Sequence, residues 1–223
     1  MRILAHRGFL SGKEERRENT YEQLIEAVKN GFDVEFDVNL DIAKESLVLS
    51  HDETPWSHQR EPARFIEAVH GTSFHALNVK NLLAIYPLTQ LLEMTSTKDN
   101  IFLFDFELLD AERLGARFIM HSLSENGFHV AYRLSEREQF YEQYLHDEQV
   151  SMVWLDEFET PWITKSHIEQ LSDKGIRSFV VSPELHADIT ETAMIKRWDD
   201  LLAYGVDGIC TDYPLKLREH RGS

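Results

Sequence analysis

Short apolar runs alternate with longer amphipathic segments along this chain, a pattern typical of strands followed by helices. Eight apolar runs predict β-strands, at residues 3–6, 33–39, 75–80, 101–106, 129–134, 152–158, 178–182 and 208–211. Six segments with helical periodicity lie between them, at residues 19–30, 87–95, 111–121, 135–145, 165–174 and 190–204. The last two are followed directly by Gly175 and Gly205, and glycine commonly terminates a helix.

Strands that alternate with helices predict a parallel sheet covered by helices. Eight such units without a linker predict an α/β fold, a single (β/α)8 TIM barrel that spans residues 1–223. The alternative is an open, doubly wound sheet, which usually has fewer strands and a glycine-rich loop that this first strand lacks. Because the chain is short for a barrel, we expect some helices to be truncated or missing.

The composition narrows the range of partners. The chain is 42% hydrophobic and carries 39 acidic against 23 basic residues, a formal charge of −16. Such a charge repels nucleic acids and anionic lipid surfaces, but a small anionic substrate remains compatible because a bound cation reverses the local potential. No apolar run reaches the about 18 residues of a membrane-spanning helix, so we expect no stable membrane insertion.

The single cysteine, Cys210, excludes an internal disulfide and favours a reducing compartment. It lies in an apolar run, which predicts a buried structural thiol. The N-terminal segment lacks the long apolar stretch of a signal peptide. We therefore expect a cytoplasmic protein.

Charged residues collect where the predicted strands end. The carboxyl ends of barrel strands form one mouth, where the chemistry of such folds takes place, so we expect these side chains to share a site. They are His6, Arg7, Glu35, Asp37, Lys80, Asp105, Arg133, Asp156, Glu184 and Asp212.

Glu35 and Asp37 are the candidates for binding a metal. They are two positions apart on a predicted strand and therefore share one face, whereas Val34, Phe36 and Val38 share the other. Two carboxylates on an inward face repel each other unless a cation or a proton intervenes, and oxygen ligands favour Mg²⁺ or Ca²⁺. A solvated edge strand is the alternative, which the apolar neighbours do not favour.

His6 and His51 are the candidates for proton transfer, because histidine titrates near neutral pH and one can act as base while the other acts as acid. The other histidines, including His186, fit structural roles.

Arg7 is a candidate clamp for phosphate or carboxylate. Lys80 is a candidate for neutralising a phosphate oxygen, and its alternative is a surface lysine at a strand end.

Several residues have two interpretations. Glu18 either fixes an arginine or reaches the metal, and Asn19 is a candidate cap for the helix that follows. Asp212 is a candidate cap before Pro214.

Four residues at later strand ends are candidates for lining the pocket: Arg133, Trp154, Asp156 and Glu184. Trp154 either stacks on a substrate group or fills the barrel. Glu184 either receives a substrate hydroxyl or pairs with Arg133.

Two ends of the chain resemble the signatures of the glycerophosphodiester phosphodiesterases. At the N-terminal end these are the segments AHRG at 5–8, ENT at 18–20, VEFDV at 34–38 and SHD at 50–52; at the other end it is GVDGICTDYP at 205–214. The resemblance implies the (β/α)8 barrel. It also implies that His6 and His51 are the acid/base pair, that Glu35 and Asp37 bind the metal, and that Arg7 and Lys80 contact phosphate. A substrate hydroxyl would attack phosphorus first, giving a cyclic phosphate that water then opens.

The sequence departs from the family pattern in two places. Asn78, a neutral amide, stands where the family has a third metal-binding carboxylate two residues before the lysine. An amide oxygen can still bind Mg²⁺ or Ca²⁺, and Asp105 could compensate. Alternatively, Asp105 and Glu107 form the family's strand motif, but the lysine is then missing. Residues 181–186 replace an aromatic-rich segment, so the pocket for the leaving group is expected to differ.

The sequence thus favours a metal-dependent phosphodiester hydrolase that acts on a small polyol or sugar phosphodiester. A phosphodiesterase for phospholipid headgroups is a close variant, which the acidic charge disfavours. A barrel that binds phosphodiesters without turnover is a second class, in which Asn78 is the change that abolishes activity. Retention of both histidines argues against it. An unrelated barrel enzyme, such as a sugar isomerase, is a third.

Overall fold

The fold was analysed in a computed structural model, which describes residues 1–69, 71, 73–109, 114–137 and 145–222. The described strands are β1 (Arg2–His6), β2 (Asp33–Asp41), β3 (Ser46–Leu49), β4 (His75–Val79), β5 (Ile101–Phe104), β6 (His129–Val130), β7 (Tyr132–Leu134), β8 (Met152–Leu155), β9 (Arg177–Val181) and β10 (Gly208–Thr211). The described α-helices are α1 (Tyr21–Lys29), α2 (Pro62–Ala68), α3 (Ile85–Met94), α4 (Phe106–Leu109), α5 (Leu114–Glu125), α6 (Lys165–Asp173), α7 (Glu191–Tyr204) and α8 (Pro214–Gly222).

Nine of these strands form a parallel sheet in the order β6-β5-β4-β2-β1-β10-β9-β8-β7. The two outermost strands, β6 and β7, are consecutive in the chain and are separated only by Ala131, whose backbone N–H donates to Leu103 at 2.9 Å. They therefore act as two halves of a single strand, and because one lies at each end of the strand order, the sheet closes into a barrel. The predicted (β/α)8 barrel is confirmed.

β3 is an element that the sequence pattern did not predict. It runs antiparallel to the end of β2, with Val38 opposite Leu49, and the N–H of Ser50 donates to the carbonyl of Asp37 at 3.1 Å. This hairpin carries the chain back to the mouth of the barrel, so that His51 lies beside the end of β2. A strand of four residues with only two buried positions has too little alternation to be recognised from sequence.

The core has two layers, separated by the wall of the barrel. Inside, side chains from alternate strands pack against one another, and Trp154 stacks on Phe104 with ring centroids 4.3 Å apart. Cys210 is fully buried in this layer, as predicted. Outside, Val34 and Phe36 of β2 pack beneath the helices. Because residues alternate across a strand, the carboxylates between these apolar positions point inward.

Helix ends follow local signals. Thr20 accepts a hydrogen bond from the N–H of Gln23 at the start of α1, and Thr190 does the same for Ala193 at the start of α7. α7 ends at Gly205, whose φ of 83° is the left-handed conformation that glycine adopts without strain.

Some predicted boundaries were wrong. The run predicted as a strand to residue 106 ends at Phe104, because Asp105 takes a left-handed φ of 73° and α4 begins at Phe106. The run from Met152 ends at Leu155. The pattern did not predict α2, α4 or α8. Residues 111–113 and 138–144 of two predicted helices lie outside the described residues.

In the part of the chain that the structure describes, no helix has both the length and the apolar character needed to cross a membrane.

Candidate active site

A cavity of about 250 Å³ opens at the carboxyl ends of the barrel strands. It brings together the candidates for acid/base chemistry, phosphate contact and metal binding. Its lining includes His6, Arg7, Glu35, Asp37, His51, Asn78, Lys80, Asp105, Arg133, Trp154, Asp156 and His186. Glu18 and Glu184, by contrast, are not part of its wall. Residues from both halves of the chain therefore meet here, although the sequence motifs lie mainly in the first 52 residues.

Glu35 and Asp37 project from the inner face of β2 and are 3% and 1% exposed. Burial, and then the neighbouring charge of Asp37, raise the pKa of Glu35 well above its usual value, while Arg7 and Lys80 act in the opposite direction. Two buried carboxylates this close require positive charge beside them.

Arg7 supplies part of that positive charge. Its guanidinium lies 2.9 Å from a carboxylate oxygen of Glu18 and 3.2 Å from one of Asp37. Its backbone N–H also donates to Glu35 at 3.3 Å. Glu18 therefore fixes the arginine, the first of its two predicted roles.

Asn19 orients Asp37, and its predicted role as a helix cap was wrong. The side chain donates to Asp37 Oδ2 at 2.8 Å and accepts from the backbone N–H of Asp37 at 2.9 Å. Asn19 is fully buried and has a φ of 53°, while the next residue, Thr20, caps α1. The sequence shows an asparagine just before a helix, which normally indicates a cap; only the tertiary fold brings it to β2.

The two candidate proton carriers are each held by a carboxylate. His6 Nδ1 lies 2.6 Å from Asp212, and its Nε2 lies 3.8 Å from Glu35. His51 Nδ1 lies 2.8 Å from Asp52. A carboxylate at Nδ1 favours the tautomer with the proton there, which leaves Nε2 available to the cavity. Asp212 was predicted as a helix cap, and its contact with His6 corrects that interpretation.

Asn78 presents an oxygen to the same region. Its Nδ2 donates to Asp105 at 2.8 Å, so Oδ1 of the same amide points away from Asp105. Asn78 is the register partner of Asp37 on the adjacent strand, and Asn78 Oδ1 and Asp37 Oδ1 are both buried without a hydrogen-bond partner. Within the described residues no three His, Cys, Asp or Glu side chains cluster closely enough to hold a metal ion, so the Asn78 amide is the candidate for a third oxygen ligand beside Glu35 and Asp37. Oxygen atoms of this kind fit a hard divalent cation.

Lys80 follows β4 and lines the cavity, where it makes no hydrogen bond or ion pair with a described side chain. Burial raises the pKa of Glu35 and of Asp105, and the charge of Lys80 opposes that rise. A lysine in this position is available to an anionic ligand.

Asp105 does not replace the missing carboxylate, contrary to one expectation. Its two oxygens are occupied by Asn78 and by Arg133, the latter at 2.7 Å. Arg133 Nε in turn lies 3.0 Å from Asp156, whose other oxygen lies 2.7 Å from His186 Nε2. These residues form a charge-alternating chain around half of the mouth.

Two other residues differ from their interpretation in the sequence. Glu184 does not line this cavity and does not pair with Arg133: it accepts hydrogen bonds from Ser182, from Thr211 Oγ1 at 2.5 Å and from the N–H of Asp212 at 3.2 Å. His186, assigned a structural role from sequence, lines the cavity. Its position just after β9 was the signal that could have found it.

Glu107 is not part of the site either, which excludes the alternative motif of Asp105 and Glu107. It lies in α4, where Oε1 accepts from the N–H of Arg133 at 2.9 Å and Oε2 has no hydrogen-bond partner. Burial raises the pKa of this carboxyl to about 7.

Comparison with known proteins supports the fold. No family model matches the chain, and a search of curated proteins finds no match. Among solved structures, a protein assigned as a glycerophosphodiester phosphodiesterase from Galdieria sulphuraria has a TM-score of 0.72 at 18% identity, over 100% of this chain and 98% of that chain.

Two further structures agree with this. A glycerophosphoryl diester phosphodiesterase from Parabacteroides distasonis has a TM-score of 0.72 at 16% identity, over 99% of this chain and 86% of that chain. A phosphodiesterase from Oleispira antarctica, in complex with the product sn-glycerol-3-phosphate, has a TM-score of 0.67 at 18% identity, over 100% of this chain and 97% of that chain. The chain shares their barrel fold, and their descriptions agree with the family that its terminal motifs resemble.

The contact between Asn19 and Asp37 can be tested with Asn19→Gly. Glycine keeps the left-handed backbone, so the loss is confined to the side chain. We expect the free energy of unfolding to fall by about 1–3 kcal/mol, because buried Asp37 loses two partners. Denaturant unfolding measures this. The control Gln90→Ala removes an exposed amide from α3 and should change it by less than about 0.5 kcal/mol. Equal stability of Asn19→Gly and the wild type would contradict the assignment.

The buried carboxyl of Glu107 predicts a pH dependence of stability. With a pKa raised from 4.5 to about 7, the native state holds this proton more tightly than the unfolded chain does. Its contribution, about 3 kcal/mol, is complete below pH 4.5 and lost as the pH rises through about 7. The stability difference between the wild type and Glu107→Gln should therefore shift by about this amount between those pH values. A difference independent of pH, or equal to that of exposed Glu93→Gln, would contradict it.

Proposed function

We propose that this protein is a metal-dependent phosphodiester hydrolase that acts on a glycerophosphodiester-like or other small polyol or sugar phosphodiester. The observation that carries the proposal is one cavity that combines oxygen ligands, two cationic side chains and two histidine–carboxylate pairs. Each group matches a requirement of phosphodiester cleavage.

The oxygens of Glu35, Asp37 and Asn78 would hold Mg²⁺ or Ca²⁺. When bound, the cation would stabilise negative charge on the phosphoryl oxygens. Arg7 is anchored by Glu18 and Asp37 but still borders the cavity, so its remaining N–H groups can contact phosphate. Lys80 adds a second positive charge against the developing charge.

His6 and His51 would carry the protons. In the first step a neutral histidine removes the proton from a substrate hydroxyl, which attacks phosphorus, while the other histidine protonates the departing alcohol oxygen. A cyclic phosphate and a free alcohol result. In the second step the roles reverse, as water is deprotonated and opens the ring. Asp212 and Asp52 stabilise each imidazolium as it forms.

The fold relatives support the substrate class. The Oleispira antarctica phosphodiesterase is described with sn-glycerol-3-phosphate as its product, which is what hydrolysis of a glycerophosphodiester releases. At 18% identity this likeness establishes the fold, and the proposed substrate of this chain rests on its own cavity.

A barrel that binds phosphodiesters without turning them over is the second candidate. The neutral Asn78 favours it, because the metal site has one negative charge fewer than three carboxylates would provide. The two histidine–carboxylate pairs favour catalysis, since a binding protein has no need of them.

We also propose a cytoplasmic location, which the single buried cysteine supports.

Substitution of either proton carrier tests the mechanism. We expect His6→Asn and His51→Asn each to lower kcat by about 100-fold or more, because general acid–base catalysis contributes at least this factor. Hydrolysis of glycerophosphoethanolamine with Mg²⁺, Ca²⁺ or Mn²⁺ is the assay. His58→Asn is the control, because this histidine is exposed and lies outside the cavity. Retained turnover in either of the first two variants would overturn the assignment, and an inactive wild type would favour the binding protein.

Asn78→Asp tests the metal site independently of activity. A third carboxylate should strengthen Mg²⁺ or Ca²⁺ binding by about tenfold, or about 1.4 kcal/mol. Without metal, the variant should be less stable than the wild type because Asp105 loses its hydrogen-bond donor and faces a like charge. Calorimetric titration and the rise in Tm on adding metal measure both effects. The exposed Gln90→Glu adds the same charge elsewhere and should change neither. Equal metal affinity in the wild type and Asn78→Asp would contradict the ligand set.

A further inference from the structure

His186 forms a third histidine–carboxylate pair at the mouth of the barrel. Its Nε2 lies 2.7 Å from Asp156, which is only 2% exposed and is itself held by Arg133. The imidazole packs against Phe158 with ring centroids 4.3 Å apart, and 21% of the side chain is exposed. The ring is therefore fixed in position from two sides.

This pair has the opposite orientation to the other two. His6 and His51 use Nδ1 to contact their carboxylates, whereas His186 uses Nε2. The carboxylate favours the proton on Nε2, so the unprotonated Nδ1 is a hydrogen-bond acceptor. Nδ1 makes no hydrogen bond with any described residue, although Asp156 orients the ring that carries it.

His186 and Leu185 lie between two cavities. One is the catalytic cavity of about 250 Å³, and the other is a neighbouring cavity of about 640 Å³. Ligand pockets usually measure roughly 300–1,000 Å³, so the catalytic cavity is small for a whole diester. It suits the phosphoryl group and the alcohol that carries the attacking hydroxyl. The other alcohol must extend beyond it, and the larger cavity is next to it.

The charges of the larger cavity describe the alcohol that would fit. Both of its lysines face carboxylates: Lys216 lies 2.8 Å from Glu191, and Lys13 lies 3.8 Å from Asp212. The lining also carries four carboxylates, from Glu184, Asp188, Glu191 and Asp212, so its charge disfavours a second phosphate. The Tyr213 hydroxyl and the imidazole of His186 also line it. A lining this rich in hydrogen-bond acceptors favours an alcohol with several hydroxyl groups, each of which can donate.

We propose that the larger cavity is the subsite for the leaving alcohol, that this alcohol is polyhydroxylated, and that His186 determines this specificity by accepting a hydrogen bond from one of its hydroxyls at Nδ1. The inference rests on the proposed phosphodiesterase function and adds to it the chemistry of the leaving group. His186 is a specificity residue and takes no part in the proton transfers of His6 and His51.

Two substrates that differ only in the leaving alcohol test the proposal. Glycerophosphoglycerol releases glycerol, and glycerophosphopropanol releases 1-propanol, which has no hydroxyl beyond the one esterified. We expect the wild type to favour the first. In His186→Ala the ratio of the two kcat/KM values should fall by about fivefold, the effect of one lost hydrogen bond. The value for glycerophosphopropanol should fall less than the value for glycerophosphoglycerol.

Two further variants separate this role from a structural one. His186→Asn keeps a hydrogen-bonding side chain and should recover part of the ratio. His146→Ala removes an exposed histidine outside both cavities and should leave the ratio unchanged. An unchanged ratio in His186→Ala, or an equal fall for both substrates, would overturn the proposal while leaving phosphodiesterase activity in place. A wild type inactive on both substrates would instead overturn the proposed function, and this inference with it.

Discussion

Two carboxylates buried side by side on the inner face of one strand are the constraint to which the rest of the site responds. Glu35 and Asp37 are almost fully buried at the floor of the cavity, and their repulsion has to be balanced from outside β2. Arg7 provides charge, Asn19 provides hydrogen bonds, and a divalent cation would complete the balance. The arrangement explains why the first loop of the barrel folds back onto the second strand.

In the other half of the mouth an arginine balances the buried carboxylates. Asp105, Arg133 and Asp156 alternate in charge from strand to strand, so each buried group has an opposite neighbour. Five described non-glycine residues have a positive φ, and three of them, Arg7, Asn19 and Asp105, make contacts within these two networks. Strained backbone of this kind persists only where surrounding contacts determine it. One half of the mouth thus has the oxygens that we propose for a cation, and the other half is held together by ion pairs.

Much of the fold could be predicted from sequence because strand and helix periods are local properties. The inward placement of Glu35 and Asp37 followed from alternation alone, and His51 followed from its motif. The partners could not be predicted in this way. His6 and Asp212 are 206 positions apart, and Asn19 looks like a helix cap until β2 is placed beside it. His186, and not Glu184, lines the catalytic cavity because a 3-10 turn at Pro183–Leu185 decides which side chain faces it. Such turns have no periodicity to read.

The pairing of the first strand with the last has a consequence for how this molecule comes into being. β1 hydrogen-bonds to β10, and the carboxylate that orients His6 follows directly after β10. During synthesis on a ribosome, the residues of the N-terminal motifs are present almost from the start. The site that they form stays incomplete until the final strand has been synthesised. Closure of the ring and orientation of His6 are then a single event. A chain interrupted late in translation would retain the N-terminal motifs and still lack the carboxylate that orients His6.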